Sequence, residues 1–204
     1  MTKIFLILGN ILATLKFDKL QCKFKSVKNY LYTGMICKHL KYAGKNIYIK
    51  NGVFFNDLEY IEIGDNSTID SRCSITAWHK RGKQVFSPKL YIGNNVTIGT
   101  DCHITCINEI MILDGCLLGK MITISDNNHF SENHDLSDTP IKREISSKGA
   151  IRIEKGVWIA DKATILAGVT IGEYSIIGSN AVVTKSIPPY SIVVGNPAKV
   201  ITRK

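Results

Sequence analysis

The chain has 204 residues, 45% hydrophobic and 21% charged, which fits one globular domain and excludes a disordered tail, a collagen-like fibre and a polytopic membrane protein. Its formal charge of +9 is uneven. Through Lys50 there are ten lysines, no arginine and a single acid, Asp18, so residues 51–204 sum to zero and a basic segment precedes a neutral body.

In residues 4–15 the apolar side chains Ile4, Phe5, Leu8, Ile11, Leu12 and Leu15 fall near the 3.6-residue period of an amphipathic helix. The run is too short to span a bilayer. Gly9-Asn10 interrupts it and no small-x-small cleavage site follows, so it does not read as a signal peptide. Two readings stand: a helix capping the main domain, or a helix resting on the inner face of the membrane with its lysines near anionic lipid, a peripheral membrane contact. Nucleic acid is not expected as a partner, because zinc spacing, a helix-turn-helix signal and an arginine-rich stripe are all missing. Residues 16–46 read as helical and polar and complete an N-terminal segment, 1–46. The six cysteines (Cys22, Cys37, Cys73, Cys102, Cys106, Cys116) contain no Cys-x-x-Cys, and without an export signal they are expected as free thiols.

A less regular initial coil is expected over residues 47–61, with Ile49, Phe55 and Ile61 in a shifted phase. From Ile63 an aliphatic residue recurs every six positions: Ile63, Ile69, Ile75; Ile92, Ile98, Ile104; Ile112, Leu118, Ile124; then Ile153 through Ile159, Ile165, Ile171 and Ile177 to Val183. The following residue is usually small or turn-forming, and four places after the aliphatic stands a modest side chain such as Ser67, Cys73, Val96, Cys102, Cys116 or Ala163. No helix has a period of six, and a strand alternates every two. A short strand plus a tight turn satisfies both demands, and such hexapeptide units stack into a parallel β-helix whose coils are stable only with neighbours. The predicted fold is therefore all-β, a parallel β-helix over residues 47–187. Two polar loops interrupt it, at 78–90 and 130–150, and long loops on a regular scaffold tend to carry function. A tail, 188–204, turns away through Pro188-Pro189 and Gly195-Asn196-Pro197.

The nucleophile-elbow, phosphate-loop and dinucleotide motifs are missing, which leaves five histidines. His39 is expected to be solvated and His79, at the start of a loop, exposed. His103 ends a hexapeptide and reads equally as a surface or a functional side chain. His129 ends the unit Ile124-Ser125-Asp126-Asn127-Asn128-His129 where the longer loop begins. A histidine on rigid backbone at the root of a loop suits general-base work, although a surface histidine is the plain alternative.

The stretch Ile124 to His129, the excursion to Gly149, Gly156-Val157-Trp158-Ile159-Ala160, Ile165 to Gly172, Val182-Val183-Thr184-Lys185, Ile187-Pro188-Pro189 and Gly195-Asn196-Pro197-Ala198-Lys199-Val200-Ile201 together resemble the hexapeptide acyltransferases. The nearest branch is similar to the O-acetyltransferases of galactosides, maltose and bacterial surface polysaccharides. The resemblance implies a left-handed helix, a homotrimer with active sites between subunits and acetyl-coenzyme A as co-substrate; no metal is expected, and without an export signal the expected location is cytoplasmic. It also implies a sugar or glycan acceptor, in some cases lipid-linked. His129 matches the family's catalytic base. Some members resemble Asp-His-x-His here, and this chain lacks the first histidine. For the donor, the resemblance points to backbone groups at Asp161 and Ser179, to Thr184 and Lys185 along the pantetheine arm, and to Lys199 near a phosphate. Trp158 is placed either at the groove wall or in a buried corner. Glu132, His134 and Asp135 are candidates for the acceptor's hydroxyls. Two alternatives remain open: a γ-class carbonic anhydrase relative using His103, His129 and His134 on zinc, and a non-catalytic trimeric scaffold.

Overall fold

The structure, a computed structural model, describes residues 4–7, 9–10, 17–129 and 139–203. The hexapeptide register appears in it directly. Strands mostly of two to four residues wind into three sheets that form the faces of a prism, and each strand pairs in parallel with the equivalent strand one coil away. The first face runs from Tyr42–Ala43 to Thr170–Ile171, and the second from Tyr48–Ile49 to Ser191–Val194. The third runs from Phe54–Asn56 to Val182–Val183. Pairing in register stacks Ile63, Ile92, Ile112, Ile153 and Ile171 in one inward column. Ile69, Ile98, Leu118, Ile159 and Ile177 form the second column, and Ile75, Ile104, Ile124, Ile165 and Val183 the third. All of these side chains are buried, so β-branched residues that favour strands also fill the core.

The corners explain the modest side chains. Ser67, Val96, Cys116 and Val157 are buried at one corner, and Cys73, Cys102 and Ala163 at the next. The corners before and after the second face also demand a residue in the left-handed backbone region. The first is turned by Asn46, Asn66, Asn95, Gly115 and Gly156, at φ from 54° to 70°. Asparagine and glycine tolerate that region best, and β-branched residues least. The cysteines whose side chains are described are free thiols, as expected.

Three parts differ from the sequence expectations. The first coil begins at Tyr42, and its Ile49 and Phe55 already stack in register on Ile69 and Ile75. The C-terminal residues do not simply leave the solenoid. Ser191–Val194 extends the second face in parallel, and Lys199–Arg203 returns antiparallel beside it, which covers an otherwise open edge. At the other end, helix α1 (Phe17–Cys37) caps the first coil. Its buried polar residues have specific partners. Thr33 Oγ1 accepts the Ile49 N–H at 2.9 Å, Asn29 Oδ1 accepts the Asn51 N–H at 2.9 Å, and the Tyr32 hydroxyl donates to Val53 O. The helix thus satisfies the exposed ladder of the first coil, as a solenoid's terminal cap must. Of the sequence-expected helix over residues 4–15, the described residues 4–7 and 9–10 are helical, and the remainder lies outside the described residues.

Both insertions leave at the corner between the third and first faces. The shorter forms a hairpin, Lys80–Arg81 against Gln84–Val85. The longer is described from residue 139 onward and lies against that hairpin.

Candidate active site

Alternation along the third-face strands sends Ile75, Ile104 and Ile124 inward and leaves Ser74 and Thr76, His103 and Thr105, and Thr123 and Ser125 on the outer surface. The insertions overhang part of this surface, which is why Thr76 and Thr105 are buried despite facing outward. The result is a hollow of about 390 Å³ with Ser74, Thr76, His103 and Thr105 as its floor. Trp78, Arg81 and Ile145 form one wall, and Asn127, Asn128 and His129 the other.

The wall is built by a clasp. Gln84 Nε2 donates to Ile145 O at 3.0 Å and Gln84 Oε1 accepts the Ile145 N–H at 2.9 Å. Arg81 donates to Arg143 O and Ile141 O, both at 3.3 Å. At the root of the loop, Asn128 and Ser146 exchange backbone hydrogen bonds at 3.0 Å. Together these contacts bring Pro140 O to 2.9 Å from His129 Nδ1. A carbonyl oxygen can only accept, so Nδ1 carries the proton and neutral His129 presents the lone pair of Nε2. That is the tautomer a general base requires.

Asp126 anchors the same segment from below. It is fully buried, and its two oxygens accept the N–H groups of Ile107 and Asn108 at 2.9 and 2.8 Å, across the corner of the preceding coil. Asn127 Nδ2 donates to Asp126 Oδ1 at 3.1 Å and to Thr105 O at 3.2 Å. The backbone that carries His129 is therefore held on both sides.

A second hollow of about 290 Å³ adjoins the first through Ser125, Asn127 and Asn128, and continues along the later coils past Leu166 and Ala167 to Thr184. Thr184 thus shares a groove with the His129 wall. Asp161 and Ser179 sit one above the other on consecutive coils at the corner between the second and third faces, where the Asn180 N–H donates to Asp161 O at 3.0 Å. The Asp161 carboxylate accepts the Lys120 N–H at 2.8 Å, so its side chain closes a turn. Among the described residues no acceptor meets the backbone N–H of Asp161 or of Ser179. Lys185 is exposed next to Thr184. Lys199 lies opposite Val194 on the antiparallel return strand and lines neither hollow.

Several expectations change. His79 is half-buried, stacked on Tyr60 with ring centroids 5.1 Å apart, and its Nδ1 donates to Phe86 O at 2.8 Å, so it anchors the hairpin rather than facing solvent. Trp158 is 47% exposed on the second face between Leu117 and Ile176, not in a buried corner. His103 belongs to the His129 hollow. Glu132, His134 and Asp135 lie outside the described residues. Among the described residues no group of three His, Cys, Asp or Glu side chains is placed to hold a metal ion. Sequence reasoning missed Trp78, Arg81, Asp126 and Ile145, and only the buried acid beside a turn had any signal to find.

Comparisons with known proteins agree with this architecture. Residues 150–185 match the family described as bacterial transferase hexapeptide (six repeats). Rv3034c of Mycobacterium tuberculosis, named as an acetyltransferase, is 32% identical over 173 residues, 83% of this chain and 52% of that protein. The chain therefore spans about half the length of that relative. WbbJ of Escherichia coli (strain K12), named for lipopolysaccharide-biosynthesis O-acetyl transfer, is 27% identical over 187 residues, 89% of each chain. Among solved structures, a variant of AntD, an N-acyltransferase from Bacillus cereus in complex with dTDP-4-amino-4,6-dideoxyglucose and coenzyme A, superposes with a TM-score of 0.71 at 22% identity, covering 85% of this chain and 89% of the other. The shared fold is the left-handed parallel β-helix.

Proposed function

We propose that this chain, a hexapeptide-repeat protein of the bacterial transferase type, is an acetyl-coenzyme A-dependent O-acetyltransferase that acts on a hydroxyl of a sugar or surface-polysaccharide intermediate. The observation that carries the reading is the tautomer of His129, fixed by Pro140 O so that Nε2 is the free base beside an open hollow. A thioester is already activated, so no enzyme nucleophile is needed. His129 Nε2 takes the proton of the acceptor hydroxyl as its oxygen bonds to the acetyl carbon. The tetrahedral oxyanion then collapses, breaks the carbon–sulfur bond, and the departing thiolate takes the proton back from the imidazolium. The backbone N–H groups of Asp161 and Ser179 are donors suited to the donor's acetyl and pantetheine carbonyls, and Thr184 and Lys185 continue that path. Lys199 takes a phosphate of the donor, as a point charge without the bidentate fork of an arginine.

The acceptor reading draws on WbbJ and AntD, one named for polysaccharide acetylation and the other bound to a nucleotide-linked sugar. Arg81, Lys83, Lys142 and Arg143, with one acid, Glu144, rim an outer hollow of about 330 Å³ behind the Arg81 wall, and the excess of positive charge suits an acceptor that carries phosphate, whether nucleotide- or lipid-linked. A homotrimer is consistent with the column of Leu117 and Trp158 exposed on the second face, apolar surface that a second copy would cover. An acetyl-coenzyme A donor suits a reaction in the cytoplasm.

The test is a thermal melt followed by a transfer assay. Acetyl-coenzyme A at 100 times its dissociation constant adds about 2.7 kcal/mol, a rise of roughly 5–10 °C for a chain of this size. His129→Ala keeps that rise and loses about 10²–10⁴-fold in transfer to a sugar acceptor. No rise with acetyl-coenzyme A overturns the donor, and full activity in His129→Ala overturns the base.

A further inference from the structure

Helix α1 has two faces, and the cap explains only one of them. Asn29, Tyr32, Thr33 and Ile36 face the first coil, where Asn29 and Thr33 are buried. At about 100° per residue, Phe24, Leu31, Met35 and Val27 fall on the opposite side in a single stripe. These four are 68%, 67%, 68% and 57% exposed. Lys28 borders the stripe on one side and Lys23 on the other, both exposed, with Lys25 beyond Lys28. Ahead of the helix, Ile4, Phe5, Leu6 and Ile7 are each about 60–70% exposed, so one helical turn is apolar on every side.

We propose that the outward stripe of α1, with the apolar turn at residues 4–7, lies in the surface of an anionic bilayer and holds the β-helix against it. The chemistry selects this occupant. No acid occurs between residues 19 and 56, so packing α1 on α1 of a second copy sets lysines against lysines. A groove in a protein partner covers one side of a helix and leaves the other sides of the residue 4–7 turn in water. The interfacial layer of a membrane surrounds such a turn, takes the aliphatic stripe, and lets flanking lysines reach anionic headgroups. Among the described residues no helix is long and apolar enough to cross a membrane, and the contact proposed is in-plane. A cleft of about 360 Å³ at the edge of α1 is lined by Lys25, Lys28, Lys50 and Arg72. Lys50 and Arg72 are already paired with Asp70 and Asp101 at 2.7 Å, which leaves Lys25 and Lys28 to meet a headgroup phosphate. The inference does not depend on the acetyltransferase reading.

The full chain is sedimented with vesicles of phosphatidylcholine alone and with about 30% phosphatidylglycerol. The expected result is at least tenfold stronger binding to the anionic vesicles, weakened as salt is raised from about 0.1 to 0.5 M. Phe24→Glu with Leu31→Glu, whose side chains make no core contact, is expected to melt like the wild type and lose at least tenfold in vesicle binding. Lys23→Glu with Lys28→Glu loses binding to anionic vesicles without a change in melting. Equal binding to both vesicle types, no binding, or undiminished binding by the Phe24/Leu31 variant overturns the proposal. So does a change of oligomeric state in that variant with no vesicle binding by the wild type, which assigns the stripe to a protein contact.

Discussion

Replacing Asp126 tests whether the site is held from below the way the geometry indicates. Its carboxylate accepts two backbone N–H groups from the corner of the preceding coil and sits three residues before His129. In Asp126→Asn the side chain keeps its volume, but one oxygen becomes an NH₂ that faces an N–H. One charge-assisted bond is lost and donor meets donor, a cost of about 2–3 kcal/mol. In Asp126→Ala both backbone bonds go, and with them the bond from Asn127 Nδ2, which keeps Thr105 O as an acceptor. Asn108 is exposed and its N–H recovers water, whereas Ile107 is buried and its N–H is left without an acceptor, for a total of about 3 kcal/mol. At roughly 2–4 °C per kcal/mol, either variant melts about 5–10 °C below the wild type. Calorimetry at neutral pH reads the shift. Because the backbone leading to His129 relaxes, turnover falls while the KM for acetyl-coenzyme A stays put. An Asp126→Asn protein that melts within a degree of the wild type refutes the reasoning, since the carboxylate would then not be what joins the two coils.

Other outcomes follow from the packing. In Gly99→Ala the new Cβ stands 2.3 Å from Gly119 O, a backbone atom that cannot rotate away, so the coils are forced apart at a cost of about 1–3 kcal/mol, read by chemical denaturation. Burial pushes the Cys116 thiol up to about 11 and raises that of Cys106 as well, so native protein at pH 8 leaves both unlabelled by a disulfide reagent, and full labelling requires denaturant. The sign of the linkage is also fixed: above about 8.5 the unfolded thiol releases its proton and the native Cys116 thiol does not, so its contribution to stability falls as pH rises from about 8.5 towards 11. Gln84→Ala breaks the reciprocal pair with Ile145, costs under about 1.5 kcal/mol, and accelerates tryptic cleavage after Lys142 and Arg143, which limited proteolysis detects.

The solenoid was legible because each coil repeats one demand. An inward column needs an aliphatic at the same place in every turn, and the six consecutive units from Ile153 to Val183 hold a register that separate short strands would not keep. The site has no such periodicity. It forms at one corner, where two unlike insertions meet over the third face, and the groups that position His129 are backbone carbonyls and N–H groups at Pro140, Ile145 and Ser146, which any residue type supplies. The helix α1 stripe was hidden for a related reason: Phe24, Val27, Leu31 and Met35 are interleaved with the residues that bury against the first coil, so the segment averages to polar. The role of Asp126 rests on its burial and on the two backbone donors it meets, neither of which its position in the hexapeptide shows.

His103 and His129 make the limit of position-based reading concrete. Each ends a hexapeptide and each contributes to the same hollow, but only His129 stands at the root of the longer loop. Among the described residues the His103 ring has no hydrogen-bond partner to choose its tautomer, whereas His129 Nδ1 is tied to Pro140 O. A base must present a lone pair in a fixed direction, and the returning loop sets that direction. In the proposed reaction that base is His129, whose ring is fixed where the clasp of Arg81 and Gln84 holds residues 141–145.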